Sequence, residues 1–404
     1  MTETSSQRWA FRSRFRRGSF GWRSSRLAVQ RVKEAVAEIK KVARSDPGRG
    51  AEGAVLFLER VSPALEEVDS SSGALGTAVY NAIYALVPLV AGAAVDAKTR
   101  EGWLERLWAA HEADAIPYIE VLADFWGDLC VSKEIAAVWA DRLLGTTRMA
   151  LSPDRSLHGH FHGTSACLSA LYRAARYEEI VELLSADAIW PYQRWAVKAL
   201  VAMGQKAEAI RYAENCRGPW TPDRDVDELC EEILLSSGLG EEAYRRYGLR
   251  PHRATSYLAT FRATAKLYPG KAPAELLSDL VSTTPGQEGK WFATAKEIGL
   301  YEEALELATS SPCDPRTLAR AARDFADTHP AFALGSGLAA LRWLVEGYGY
   351  EVTSADVWAA FGATTRAAAI LGILDATREQ IRLMITAEHA PGFVAQVLTG
   401  ELGG

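Results

Sequence analysis

One helical hairpin constrains the fold of this chain more than any other stretch. From Lys290 the sequence runs Trp-Phe-Ala-Thr-Ala-Lys-Glu-Ile to Gly299, then Leu300-Tyr301-Glu302-Glu303-Ala304-Leu305 and on to Ala308. Gly299 suits the left-handed conformation that ends a helix, because it has no Cβ to clash. Glu302 and Glu303 then open a second helix, with their charge at its positive end. Ala304, Leu305 and Ala308 recur at helical spacing and let the second helix lie close to the first. Another helix, from Arg316, follows a Ser-Ser-Pro-Cys-Asp-Pro break.

The same unit recurs upstream, in Ala174–Val181, Met203–Ile210 and Ser237–Tyr244. The equivalent acids Glu179, Glu208, Glu242 and Glu303 lie 29, 34 and 61 residues apart. The last gap holds two units if Pro269–Glu275 is a degraded copy. Intervals near 30 residues predict a stacked array, since a lone hairpin cannot bury its own apolar face. No stretch shows sustained period-two alternation, so the expected fold class is all-α.

Gly299-Leu300-Tyr301-Glu302-Glu303-Ala304 resembles the Gly-x-Tyr-x-x-Ala turn of tetratricopeptide repeats. Gly204–Ala209 and Gly238–Ala243 share that pattern without its Tyr, and the unit at Tyr177 keeps the Tyr without Gly or Ala. Phe292 and Arg316 depart from the family, standing where it has Gly and Pro. The resemblance spans about residues 160–325 and implies an α-solenoid of helical hairpins, a non-catalytic scaffold for a protein or peptide partner. In such arrays the first helix of each hairpin lines the concave face. Counting back from the turns, the resemblance places Arg173, Arg194, Lys198, Glu228, Glu232 and Lys296 there.

Charge divides the chain. The net charge is −6, yet residues 1–45 hold twelve Arg and Lys against three Glu, which makes that segment +9 and the remainder −15. Residues 1–25 mix Arg with Trp9, Phe11, Phe15, Phe20 and Trp22 without periodicity, and read as a disordered basic and aromatic arm. Arg8, Arg12, Arg14, Arg16, Arg17, Arg23 and Arg26 are its candidate polyanion contacts, since guanidinium groups neutralise phosphates and aromatic rings stack on unpaired bases. A helix from Arg26 continues with a basic stripe of Arg26, Lys33 and Lys40, joined by Lys41 and Arg44. A nucleic-acid-associated factor using residues 1–45 is therefore the alternative to the protein scaffold. An anionic membrane surface, a protein partner, or a solvated tail that binds nothing are the further readings of the same arm.

The expected layout is the arm at 1–25, an N-terminal helical region at 26–150 and the hairpin array at 160–400. Thr146–Gly163 marks the boundary. The uncharged run Ser70–Val95 is long enough to raise the question of a membrane span. Its stripe of Leu75, Val79, Ile83, Leu86 and Val90 fits a helix buried in protein instead.

Candidate chemistry is sparse. His158, His160 and His162 would share one side of an extended segment, with Cys167 as a fourth ligand, and a metal-dependent enzyme is the third reading. Structural or adventitious histidines are the plainer one. His111 reads as a helix-terminal histidine beside solvated acids, and Thr164 or Ser165 as a helix cap. The chain carries no phosphate-binding Gly-rich loop with Lys and no His-Glu-x-x-His. No catalysis and no cofactor are expected. Five dispersed cysteines without a Cys-x-x-Cys pair suggest reduced thiols in a cytoplasm, and Ala-, Arg- and Gly-rich usage suggests one of bacterial type.

Overall fold

The computed structural model describes residues 9–152, 154, 159–185, 189–250, 253–386 and 392–402. Among them the chain is all-helical, and the lone β feature is an isolated bridge between Gly218 and Thr221. The helices are α1 (Phe11–Arg14), α2 (Ser25–Ala43), α3 (Pro47–Leu65), α4 (Ala74–Ala91), α5 (Ala97–Glu112), α6 (Trp126–Cys130), α7 (Lys133–Ala150), α8 (Thr164–Arg173), α9 (Tyr177–Leu183), α10 (Trp190–Ala202), α11 (Lys206–Asn215) and α12 (Asp223–Leu235). They continue as α13 (Gly240–Ala243), α14 (Tyr257–Leu267), α15 (Pro273–Ser282), α16 (Phe292–Glu297), α17 (Tyr301–Ser310), α18 (Pro315–Phe325), α19 (Pro330–Val345), α20 (Ser354–Ile370), α21 (Leu374–Ile385) and α22 (Gly392–Leu402). The chain forms two compact units, Met1–Leu229 and Cys230–Gly404. The expected boundary at 146–163 is not where it divides. There α7 packs on α8, and the division falls within α12.

In the first unit α2, α3 and α4 pack on one another. Ala28, Val32, Ala35 and Ile39, spaced at helical intervals, are the buried face of α2. Asp46 accepts a hydrogen bond from the Arg49 N–H and caps α3, with Pro47 at its first position. By length and composition α4 could cross a membrane, at a mean hydropathy of 1.6. Its stripe of Leu75, Val79, Ile83, Leu86 and Val90 is buried within the protein. Trp108, Trp126 and Trp139, from α5, α6 and α7, form a ring cluster with centroids 5.0–5.7 Å apart.

Residues 9–24 are not a detached arm. Phe11, Phe15 and Phe20 are only 1–3% exposed. Phe11 and Phe15 meet Phe57 of α3 edge-on, with centroids 5.7 and 5.1 Å away. The Glu38 carboxylate accepts from the Ala10 and Phe11 N–H groups at 2.7 and 3.2 Å, and Arg14 pairs with Glu34 at 2.7 Å. Trp9 packs against α3 at Gly53, where a Cβ would collide with the indole. Aromatic burial outweighs the missing periodicity, which a four-residue helix and a turn cannot display.

One turn geometry recurs through both units. The N–H of the residue after the left-handed one donates to the carbonyl five residues back, as in Arg176 to Leu171, Gln205 to Leu200, Leu239 to Leu234 and Leu300 to Ala295, each at 2.9–3.0 Å. This is the Schellman closure, and it places Gly204, Gly238 and Gly299 at φ of 80°, 74° and 81°. The hairpin at Tyr177 lacks this Gly, and Ala175 takes its place at φ 61°. A left-handed Ala costs about 1–2 kcal/mol, whereas Gly adds unfolded-chain entropy worth about 0.4–1 kcal/mol. Ala175→Gly should therefore stabilise the protein by about 0.5–1 kcal/mol in thermal melting. A lower melting temperature would show that the turn carries no strain.

In the second unit α18, α19 and α20 pack together. Gly337 permits the closest approach, since a Cβ there would strike Thr364. Thr353 and Asp356 form a reciprocal capping box on α20, so Asp356 is the third helical residue of the cap.

Candidate docking surfaces

The six residues placed on a concave face are divided between the units, and most of them are engaged within the fold. Arg173 donates to the Val131 carbonyl at 2.8 Å, and Arg194 to Asp124 at 2.5 Å. Glu228 accepts from Arg224 at 2.8 Å, and Lys198 stands over the Trp195 ring at 4.5 Å. Lys296 sits 5.7 Å from the Phe325 ring centroid. Glu232 is exposed on α12.

Arg173 nonetheless belongs to a surface that the sequence did not point to. A groove of about 380 Å³ runs beside α4, with Tyr84, Pro88, Phe125, Asp128, Val131 and Arg173 among its walls. Tyr84 is about half exposed and meets Phe125 edge-on at 4.9 Å. Tyr80, one turn earlier, lies tilted against it at 4.6 Å, and the two hydroxyls share a hydrogen bond at 2.8 Å. That hydrogen bond, followed by burial, pushes the Tyr84 phenol up to about 12, so it stays neutral at physiological pH. The groove's lip is strained. Val131 has φ 65° and ψ −56°, and the Ser132 N–H closes on the Cys130 carbonyl at 2.7 Å. This is a positive-φ γ-turn, rare and costly for a β-branched residue. The Arg173 guanidinium grips the carbonyl of that same Val131 through two of its nitrogens. Asp128 is the exposed carboxylate on this wall. The available signal was α4 itself, whose exposed face of Thr77, Tyr80, Asn81, Tyr84 and Pro88 holds no charge.

The N-terminal cations separate into two sets. Arg14 and Arg31 share Glu34, and Arg17 pairs with Glu66 at 3.0 Å. The Arg31 hydrogen bond, then that of Gln30, holds the Glu34 carboxyl below its usual range. Arg12, Arg16, Arg23, Arg26, Lys33, Lys40, Lys41 and Arg44 are exposed, and no carboxylate among the described residues pairs with them. Arg8 lies outside the described residues. Of the aromatics expected to stack on bases, the three Phe are buried and Trp22 is 67% exposed.

The histidine segment is brought together only in part. His158 lies outside the described residues, while the His160 and His162 rings meet at 4.7 Å. Cys167 is buried in α8 with its Sγ 3.9 Å from the Ala140 carbonyl, and burial pushes its thiol up to about 11. It faces the core rather than completing a ligand set. Among the described residues no group of three or more His, Cys, Asp or Glu side chains could hold a metal ion. His111 is buried with its Nε2 3.1 Å from the His162 carbonyl. Asp114 beside it is not a solvated acid, since it accepts from the Ser62 hydroxyl and the Ile119 N–H. Gly163 precedes α8 with no side-chain cap from Thr164 or Ser165. The five cysteines are free thiols, and all but Cys216 are buried.

Protein-family models, curated proteins and solved structures, when compared with this chain, give no match. The site must therefore be read from its own residues.

Proposed function

We propose that the protein is a non-catalytic interaction scaffold whose helical hairpins stack as a tetratricopeptide-like α-solenoid, with the groove beside α4 receiving an extended peptide of a protein partner. The observation that supports this most is the strained γ-turn at Val131, held open by Arg173 against an exposed aromatic wall. Strain of this kind persists where surrounding structure over-determines it, and it clusters at functional positions. Tyr80, Tyr84 and Phe125 offer neutral, flat contact area suited to proline or aliphatic side chains. Asp128 on the groove wall selects a basic residue in that peptide.

Random-peptide display against the immobilised protein tests this reading. Enriched peptides should combine proline or aliphatic positions with one Lys or Arg. Tyr84→Ala should weaken their binding about tenfold, and Asp128→Asn should erase the preference for the basic residue. Unchanged capture by Tyr84→Ala would move the peptide site elsewhere. Failure to enrich any peptide would end the scaffold reading of this groove.

A further inference from the structure

The exposed face of α2 is a rigid cationic stripe that the peptide groove does not use. Taking 100° of turn per residue, Arg26 and Arg44 share one direction, Lys33 and Lys40 fall to one side of it and Lys41 to the other, all within about 100° of arc. From Arg26 to Arg44 the stripe is about 27 Å long at 1.5 Å per residue. The opposite face, Ala28, Val32, Ala35 and Ile39, is buried, so the stripe cannot rotate away. The acids closest in sequence are spent elsewhere. Glu34 is held by Arg14 and Arg31, and Glu38 by the Ala10 and Phe11 N–H groups. Trp22, three residues before α2, stands free in solvent.

We propose that this stripe, with Trp22 at its N-terminal end, binds the phosphate backbone of single-stranded nucleic acid. Cations repeating along a fixed line neutralise successive phosphates, and an exposed indole stacks on an unpaired base whatever its sequence. A duplex keeps its bases stacked and gives Trp22 nothing to cover. An anionic membrane is the weaker fit. An interfacial helix inserts its apolar face between lipids, and the apolar face of α2 is already buried in the protein. Trp22 and Leu27 are the large apolar side chains that residues 9–45 leave exposed. The charge partition agrees, since residues 1–45 are +9 while the remainder of the chain is −15.

The test is fluorescence anisotropy of the full chain with a labelled single strand of roughly 20 nucleotides, its duplex form, and vesicles containing phosphatidylserine. Binding to the single strand should weaken from about 50 to 200 mM salt, with a log–log slope near −3 to −4 for five phosphate contacts. The triple variant Lys33→Gln, Lys40→Gln, Lys41→Gln should flatten that slope by about two units. Replacing the same lysines with Arg keeps the charge and should keep the binding, which separates electrostatics from any loss of fold. Trp22→Ala should lose about tenfold for the single strand and nothing for the duplex. Salt-insensitive binding, equal affinity for single strand and duplex, unchanged binding by the Gln variant, or preference for the vesicles would each overturn the proposal. Loss of polyanion binding leaves peptide capture at the α4 groove intact, so the two readings fail independently.

Discussion

Phe15→Ala should destabilise the protein by about 3–5 kcal/mol, the usual cost of emptying a buried phenylalanine site. Phe15 sits in a segment whose composition suggests a loose tail, yet it is 1% exposed. Its ring contacts Phe57 at 5.1 Å and Phe20 at 5.6 Å, so truncation leaves a void flanked by two rings that cannot easily collapse. At about 2–4 °C per kcal/mol for a unit of this size, the melting temperature should fall by roughly 10 °C. Arg12→Ala, at an exposed position three residues earlier, should stay within about 0.5 kcal/mol. Equal melting of the two variants would mean that residues 9–24 are detached after all. The result also bears on the nucleic-acid proposal, because deleting the segment would disturb the fold along with the charge. Point substitutions on the stripe avoid that confusion.

The longer helices were legible because each shows its period over several turns. The buried face of α4 coincides with the stripe read from Leu75 to Val90, and the buried face of α2 lies opposite its basic stripe. Gly204, Gly238 and Gly299 announced their turns, since φ near 80° is costly for other residues. Ala175 did not, because the Schellman hydrogen bonds can hold an Ala where the neighbouring packing demands the same turn. The Phe11–Phe20 clasp escaped for a different reason. Its ring partner Phe57 lies in α3, 42 residues beyond Phe15, and no local pattern encodes that contact. The α4 groove was half legible. Arg173 was selected as a partner-binding residue, but for its place in a hairpin. Its grip on the Val131 carbonyl depends on the pairing of α6 with α8. There Gly127 lets the helices meet and its N–H donates to the Ser169 hydroxyl at 2.9 Å.

Glu231→Gln should cost about 3–5 kcal/mol, because it removes the charge that two buried arginines require. Glu231 is 3% exposed. Arg253 grips it with a two-pronged contact at 2.6 and 2.8 Å, Arg250 adds a bond at 2.6 Å, and the Tyr268 hydroxyl donates at 2.5 Å. Burial, followed by the hydrogen bond to Glu231, raises the Tyr268 phenol above its ordinary value, so it remains a donor throughout the physiological range. Glu228 and Glu232 drew attention as exposed acids of the same helix, and Glu231 between them did not. The helical wheel holds the distinction. Val226, Cys230, Ile233 and Leu234 are the buried side of α12, Glu231 flanks that side, and Glu228 and Glu232 lie opposite. The comparison that isolates burial is Asp327→Asn, which removes the charge from a pair in which one Arg366 nitrogen donates to both carboxylate oxygens and both side chains are more than half exposed. Solvent screens that pair, and its loss should cost no more than about 1 kcal/mol. A triple change of Glu231, Arg250 and Arg253 to apolar residues of similar size should recover most of the loss, since no uncompensated charge then remains inside. If Glu231→Gln melts with Asp327→Asn, the arginines have reached water by another route, and the cluster does not hold the Tyr247–Tyr268 segment in place.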